Sequence, residues 1–167
     1  MVVVLLFFGG FISYVDQANL SIASVPIMKE LDLSPALMGT LFSTFFWTYS
    51  LSQIPAGFLV DRFGFRITYA IAFLLWCLAS ASVGLAVSFA EIMALRLLLG
   101  VGESVVGPAS LSFIKRRFQD HEQGLPTAIA VSGVILGPAC GALLGAAFMD
   151  RLGWRLFFVL TGLAGCL

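Results

Sequence analysis

Charge is scarce in this chain. Of 167 residues, nine are Lys or Arg and nine are Asp or Glu, 11% in all, against roughly a quarter in a soluble domain. The formal net charge is zero. No basic arm or patch is present, so the electrostatic footprint of a nucleic-acid binder is missing. The one histidine, His121, lies in a charged loop and reads as a solvated residue rather than a ligand or catalyst. The three cysteines, Cys77, Cys140 and Cys166, sit in apolar surroundings without CxxC or Cys/His spacing, so no metal site or disulfide framework is expected. No cofactor is expected either. Gly100-Val-Gly102 begins like a dinucleotide loop, but it follows no strand and lacks the third glycine. Asn19-Leu-Ser21 fits the glycosylation sequon, but an apolar helix is the wrong setting for one.

Apolar residues are abundant. Hydrophobic residues make up 60% of the chain and the mean hydropathy is +1.03. Apolar runs of about 20 residues recur, the length that crosses a bilayer as a helix. The fold class is therefore all-α, polytopic and membrane-embedded. Spans are expected near residues 2–25, 38–60, 67–87, 90–114, 125–148 and 156–167. The first lacks a basic n-region and carries Asp16, which argues against a cleaved signal peptide. Pro26 and Lys29-Glu30-Leu-Asp32 read as its exit loop, and Ser34-Pro35 as an N-cap with proline at the first helical position. The second span is partly polar, through Ser43, Thr44, Thr48, Tyr49, Ser50, Ser52 and Gln53, with Pro55 as an expected kink. The third is nearly free of charge and reads as scaffold. The last would be about 18 Å long, short of a hydrocarbon core of about 30 Å. The chain is thus expected to be one 1–167 domain of a longer protein, with its sixth helix truncated.

The stretch Arg96-Leu-Leu-Leu-Gly-Val-Gly-Glu103-Ser-Val-Val-Gly-Pro108 dominates the functional reading. Seven residues is close to two helical turns, so both charges fall on nearly one face, about 10 Å apart. Each costs on the order of 2.5–3.5 kcal/mol at the bilayer centre. The eleven Leu, Ile, Phe and Val residues between Ile92 and Ile114 return roughly 3–7 kcal/mol. The sums nearly cancel, so this face is expected to look onto protein or water. Asp16, Gln17 and Asn19 put three more polar residues deep in the first span. Counting from helix ends, Asp16 lies about 14 Å deep, between Arg96 at about 8 Å and Glu103 at about 18 Å. Intramembrane ions are functional candidates by default, with a structural ion pair as the alternative. Asp16 and Glu103 could also be the acid pair of a membrane-embedded enzyme, but no other chemistry surrounds them, and no catalytic residue is assigned.

Two further patterns concern helix contacts. Gly57-Phe-Leu-Val-Asp61-Arg62-Phe-Gly64-Phe-Arg66 makes a tight charged turn, with Gly64 supplying the permissive backbone. Gly133, Gly137, Gly141 and Gly145 recur every four residues, with Pro138 beside the second. They share one helix face and form a groove for close packing or sliding. Trp154, in the loop Asp150-Arg151-Leu-Gly153-Trp154-Arg155, is placed at a membrane interface. The loops after the second and fourth spans hold five Lys or Arg, and those after the first, third and fifth hold three. The positive-inside rule then puts the N-terminus in the cytoplasm of a cell (inner or plasma) membrane.

These motifs resemble the major facilitator superfamily. The Gly57–Arg66 loop is similar to its signature between helices two and three. Arg96 with Gly100 and Gly102 resembles its helix-four motif, and Gly133 to Gly145 with Gly137-Pro138 its helix-five motif. More narrowly, Tyr14-Val-Asp16-Gln17-Ala-Asn19-Leu-Ser21, Arg96-x3-Gly-x-Gly-Glu103 and Gly153-Trp154-Arg155 look like the anion:cation symporters. The resemblance implies the N-terminal six-helix bundle of a secondary transporter, a 3+3 inverted repeat whose substrate sits against a second, missing half. It implies proton-coupled uptake of a small organic anion, such as a hexuronate, galactonate or glucarate, by alternating access. A half-length remnant that only binds partners, an exchanger and a phthalate-type carrier stay open. By resemblance, Asp16 and Glu103 carry the proton. Arg96 binds substrate, joined by Gln17, Tyr14, Asn19 and Tyr49. Gly57, Asp61, Arg62, Gly64 and Arg66 form a gate. The family's arginine after the helix-one aspartate is Gln17 here, which leaves Arg96 as the remaining positive charge.

Overall fold

The computed structural model describes residues 2–165. Six α-helices follow in order among the described residues: α1 (Val2–Glu30), α2 (Pro35–Phe63), α3 (Phe65–Val83), α4 (Phe89–Glu103), α5 (Val106–Arg117) and α6 (Gly124–Ala164), with a short 3-10 turn at Asp120–Glu122 between the last two. Lipid offers the backbone no hydrogen-bond partner, so long apolar runs close their own ladders as helices. Val2–Glu30, Phe65–Val83, Phe89–Arg117 and Gly124–Met149 are long and apolar enough to cross a membrane. At 29 residues α2 is long enough, but its Ser, Thr and Gln residues make it more polar.

Several boundaries differ from the sequence reading. α1 does not stop before Pro26; it carries this proline and ends at Glu30, five residues beyond the expected boundary at residue 25. Proline forfeits one backbone bond, which a packed membrane helix absorbs. The Ser34 side chain caps α2 by accepting from Leu37 N at 3.3 Å, with Pro35 at the first position. α2 also outruns its expected 38–60, to Phe63. Gly64 at φ 82° turns the chain directly into α3. α3 ends at Val83 rather than residue 87. The expected fourth helix, 90–114, stands as one apolar span, Phe89–Arg117. Its hydrogen-bond ladder lapses at Ser104–Val105, between α4 and α5, while both residues keep right-handed helical dihedrals. Pro108 cannot donate back to Ser104, so the ladder has no bond to close there. The expected loop at 150–155 is instead a single non-helical residue, Gly153 at φ 74° and ψ 156°. α6 therefore consists of two arms, 124–152 and 154–164, joined at a kink that an L side chain would resist. Cys166 and the expected end of the last helix at Leu167 lie outside the described residues.

The four glycines of α6 that recur every four residues, Gly133 to Gly145, all face α1. A Cβ on Gly133 would stand 2.3 Å from Phe7 O, one on Gly137 2.7 Å from Phe11 O, one on Gly141 3.2 Å from Val15 Cα, and one on Gly145 2.5 Å from Ile22 Cδ1. The two backbones approach where side chains are missing. α4 closes onto α2 and α3 the same way. Gly100 faces Phe45 O and Thr48, and Gly102 faces Ala72 O and Trp76.

The buried apolar residues form layers. One cluster gathers Ile27, Leu41, Ile92, Trp154 and Phe157 at the Glu30 end. Another gathers Ala56, Val60, Ala72, Val105 and Ala109 toward the Gly64 end. A third, Phe45, Trp76, Ala79 and Leu99, sits beside the buried polar residues. The outside is apolar too: Phe58 is 72% exposed and Leu143 71%, as expected for surfaces that meet lipid.

Candidate functional site

Three helices carry one buried polar cluster. α1 supplies Ser13, Asp16, Gln17 and Asn19, α3 supplies Trp76 and Ser80, and α4 supplies Arg96 and Glu103. Asp16 and Arg96 are 3% exposed and Glu103 is fully buried. Ser13, Gln17 and the Asp16/Asn19 pair recur at helical spacing, so one side of α1 holds them all. The glycine face of α6 presses on the opposite side.

The two carboxylates are held by neutral donors. Trp76 Nε1 donates to Asp16 Oδ2 at 2.7 Å, and Asn19 Nδ2 to Asp16 Oδ1 at 3.3 Å. Asn19 Nδ2 also reaches Thr161 Oγ1 at 3.1 Å, which ties the aspartate to the second arm of α6. The Ser80 hydroxyl faces the same carboxylate without closing a bond of ordinary geometry. Ser13 donates to Glu103 Oε2, and Gln17 Nε2 donates to the same oxygen at 3.0 Å. The glutamine that stands where the resembling family has arginine thus serves Glu103 as an uncharged donor.

Arg96 does not pair with either acid. Among the described residues no carboxylate comes within ion-pair distance of it, and its Nε has no partner. Its guanidinium carbon lies 4.7 Å from the centre of the Phe45 ring, a cation–π placement that partly compensates a desolvated charge. It still attracts both carboxylates electrostatically, and these in turn repel each other. Glu103 Oε1 and Asn19 Oδ1 also lack partners. A buried polar atom without a partner is costly, so the cluster is chemically incomplete and suited to a polar ligand that brings acceptor oxygens to Arg96 and donor hydroxyls to Glu103 and Asn19.

The other expected residues fall in three places. Tyr14 and Tyr49 are half-buried near the cluster. Tyr49 stacks on Phe45 at 5.6 Å and feels both Tyr14 and Glu103 electrostatically, but no hydrogen bond joins it to the acids. Gly57 faces open space. Asp61 is far from the acids, in an exposed 2.8 Å ion pair with Arg116 of α5. Arg62 lies 5.6 Å from the Phe63 ring, and Arg66 is exposed, with no ion pair among the described residues. Gly64 forms the turn, and Pro138 lies inside α6 between the α1-facing glycines.

Sequence reasoning missed Trp76, Ser13 and Thr161. Trp76 offered one signal: an indole N–H in an otherwise apolar helix needs an acceptor. The third span is therefore more than scaffold. Trp154 was placed at an interface; the structure buries its ring at the Glu30 end, where Nε1 donates to Glu30 Oε2 at 2.6 Å.

Residues 6–167 match the family description "Major Facilitator Superfamily". The chain is 35% identical over 162 residues to a D-galactonate transporter of Escherichia coli O6:H1, covering 97% of this chain and 38% of that protein. It is 30% identical over 164 residues to a hexuronate transporter of Bacillus subtilis, covering 98% and 39%. Among solved structures, a bacterial homolog of the human lysosomal transporter Spinster superposes with a TM-score of 0.90 at 24% identity, covering 98% of this chain and 41% of that one. The chain thus spans about two fifths of the length of the relatives it matches.

Proposed function

The chain belongs to the major facilitator superfamily and is a multi-pass membrane protein; from that premise we propose that it forms the N-terminal half of a proton-coupled carrier of a small organic anion. The observation that carries this reading is Arg96: a buried guanidinium without a carboxylate partner, beside two carboxylates that are satisfied by neutral donors. An anion with hydroxyl groups can meet the Arg96 charge and the unpartnered oxygens of Glu103 and Asn19 together. The substrate class is a sugar acid of the galactonate, hexuronate or glucarate type, supported by the names of the relatives.

Asp16 and Glu103 bind the transported protons. When ionised, Glu103 competes with the substrate for Arg96 through its unpartnered Oε1, and when protonated it releases the guanidinium, while Asp16 is engaged by its neutral donors. Proton and anion affinity are then linked reciprocally. Tyr14, Gln17, Asn19 and Tyr49 line the anion's path. The other wall comes from a second six-helix half, and the two halves alternate in access. The N-terminus is cytoplasmic, so the Gly57–Arg66 turn and the Asp61–Arg116 pair gate the cytoplasmic side.

Glu103→Gln is the test, in proteoliposomes containing the product of the complete reading frame. Exchange of labelled D-galactonate against unlabelled should persist, while uphill uptake driven by a pH gradient should fall to background. Uphill uptake at the wild-type rate would sink the coupling role of Glu103.

A further inference from the structure

Trp76 belongs to no motif and sits in the helix that reads as scaffold from sequence. It is nevertheless fully buried, and its indole bonds the Asp16 carboxylate at 2.7 Å. Its position is fixed on two sides. Its ring meets Phe73 edge-on at 4.8 Å, and the α4 backbone at Gly102 leaves no room beside its Cβ. The groups facing Asp16 are Trp76 and Ser80 from α3, Arg96 and Glu103 from α4, and Asn19 on its own helix, which is bonded to Thr161 of α6. Arg96 is the cation in that set, yet the carboxylate is turned to the indole.

We propose that Trp76 is a positioning residue, whose indole N–H holds the Asp16 carboxylate toward α3 and away from Arg96, keeping the guanidinium open to the anion. This rests on the organic-anion reading above. A charge-assisted bond to an indole is a fixed, directional anchor. Without it, an ionised Asp16 is free to turn to Arg96 and occupy the charge that the substrate needs. A protonated Asp16 has no such pull. The effect of losing Trp76 is therefore expected to depend on pH, whereas a packing defect would not.

Two measurements test this on the product of the complete reading frame. The first is D-galactonate binding to wild type and Trp76→Phe at pH 8 and pH 5. Trp76→Phe should weaken binding about tenfold at pH 8, the effect of one charge-assisted hydrogen bond, and less than about twofold at pH 5. Trp76→Phe combined with Asp16→Asn should bind as Asp16→Asn alone does. An equal loss at both pH values, or no recovery in the double variant, overturns the proposal. The second needs no substrate. With indole-labelled tryptophan, the Trp76 N–H resonance, assigned as the signal that Trp76→Phe removes, should move with pH in wild type and stay still in Asp16→Asn. A Trp76 signal indifferent to pH in wild type also overturns it. If wild type binds no sugar acid but the indole signal titrates as expected, the organic-anion reading fails while the Trp76–Asp16 coupling stands.

Discussion

Tryptophan, arginine and a carboxylate meet twice in this bundle, once at the Glu30 end and once at its centre. At the Glu30 end they close on one another. Trp154 Nε1 and Arg155 Nε donate to the two Glu30 oxygens at 2.6 and 2.9 Å, and Arg155 lies 4.4 Å from the Trp154 ring centre. Arg155 Nη1 also donates to Gly84 O at 3.2 Å and Ala86 O at 2.6 Å. The set bolts α1 and the α3–α4 turn to the second arm of α6. At the centre the tryptophan takes the carboxylate and the arginine is left on a phenylalanine ring with a free Nε. The same chemistry that is complete where water can reach it is incomplete where water is excluded. A closed set is a fastener; an open one in a low-dielectric interior is suited to binding.

The largest effect should come from removing the open charge. Arg96→Gln is expected to lower D-galactonate uptake at least about 100-fold, the scale of losing a buried charge-assisted contact to an anion. The protein should still elute as a single species in detergent, because no ion pair is broken. Uptake within about threefold of wild type would mean that the open arginine binds nothing.

The second effect acts on the wall behind the central set. Gly137→Val would push a Cβ and two methyls into Phe11 O and Tyr14 Cβ, each 2.7 Å from the Cβ position. α1 must then shift, carrying Asp16 and Gln17 with it. Overpacking of this kind costs about 1–3 kcal/mol, and D-galactonate uptake should drop about tenfold or more. The cross-check is Gly153→Ala, at the kink between the arms, which should lower thermal stability without altering the anion's KM. If both variants changed KM alike, the glycine groove would have no special hold on the central site.

How far the sequence disclosed this contrast depends on the residue. Asp16, Arg96 and Glu103 were legible because a charge in an apolar run is too costly to be incidental, and Gly64 because a two-helix turn that tight needs a positive φ. The glycine repeat showed a contact face but not which helix fills it. The partners were hidden. Ser13, Thr161 and Trp76 are ordinary residues in membrane helices, and only packing decides which carboxylate they meet. The lapse in the hydrogen-bond ladder at Ser104–Val105 had its cause in Pro108, four residues beyond Ser104. The loop reading of 150–155 failed because polarity marks a membrane boundary and does not require a helix to end there; Gly153 alone turns the chain.

The third effect is on the closed set. Arg155→Ala removes the ion pair with Glu30 and two bonds to carbonyls. Its side chain is 34% exposed and that of Glu30 45%, so solvent screens the charge term. The expected loss is about 1–3 kcal/mol, mostly from the two carbonyls left without a donor. It should be read as a lower unfolding temperature, with D-galactonate KM within about twofold of wild type. A large KM change with unaltered stability would reverse the comparison, since the fastener would then be part of the site.

The smallest effect belongs to the Asp61–Arg116 pair at the opposite end. Its geometry matches that of the Glu30 pair, at 2.8 Å against 2.9 Å, but both side chains are more than 60% exposed. Geometry alone would rank the two as equals. Exposure does not: an ion pair in water contributes about 0–1 kcal/mol. Asp61→Asn should therefore change the unfolding free energy by less than about 0.5 kcal/mol, and high salt should erase even that. A loss of uptake in this folded, equally stable variant would then support the proposed gating role and not a defect of the fold. A fall in stability comparable to Arg155→Ala would instead make Asp61–Arg116 a second fastener, and would separate burial from closure as the property that distinguishes the two ends from the centre.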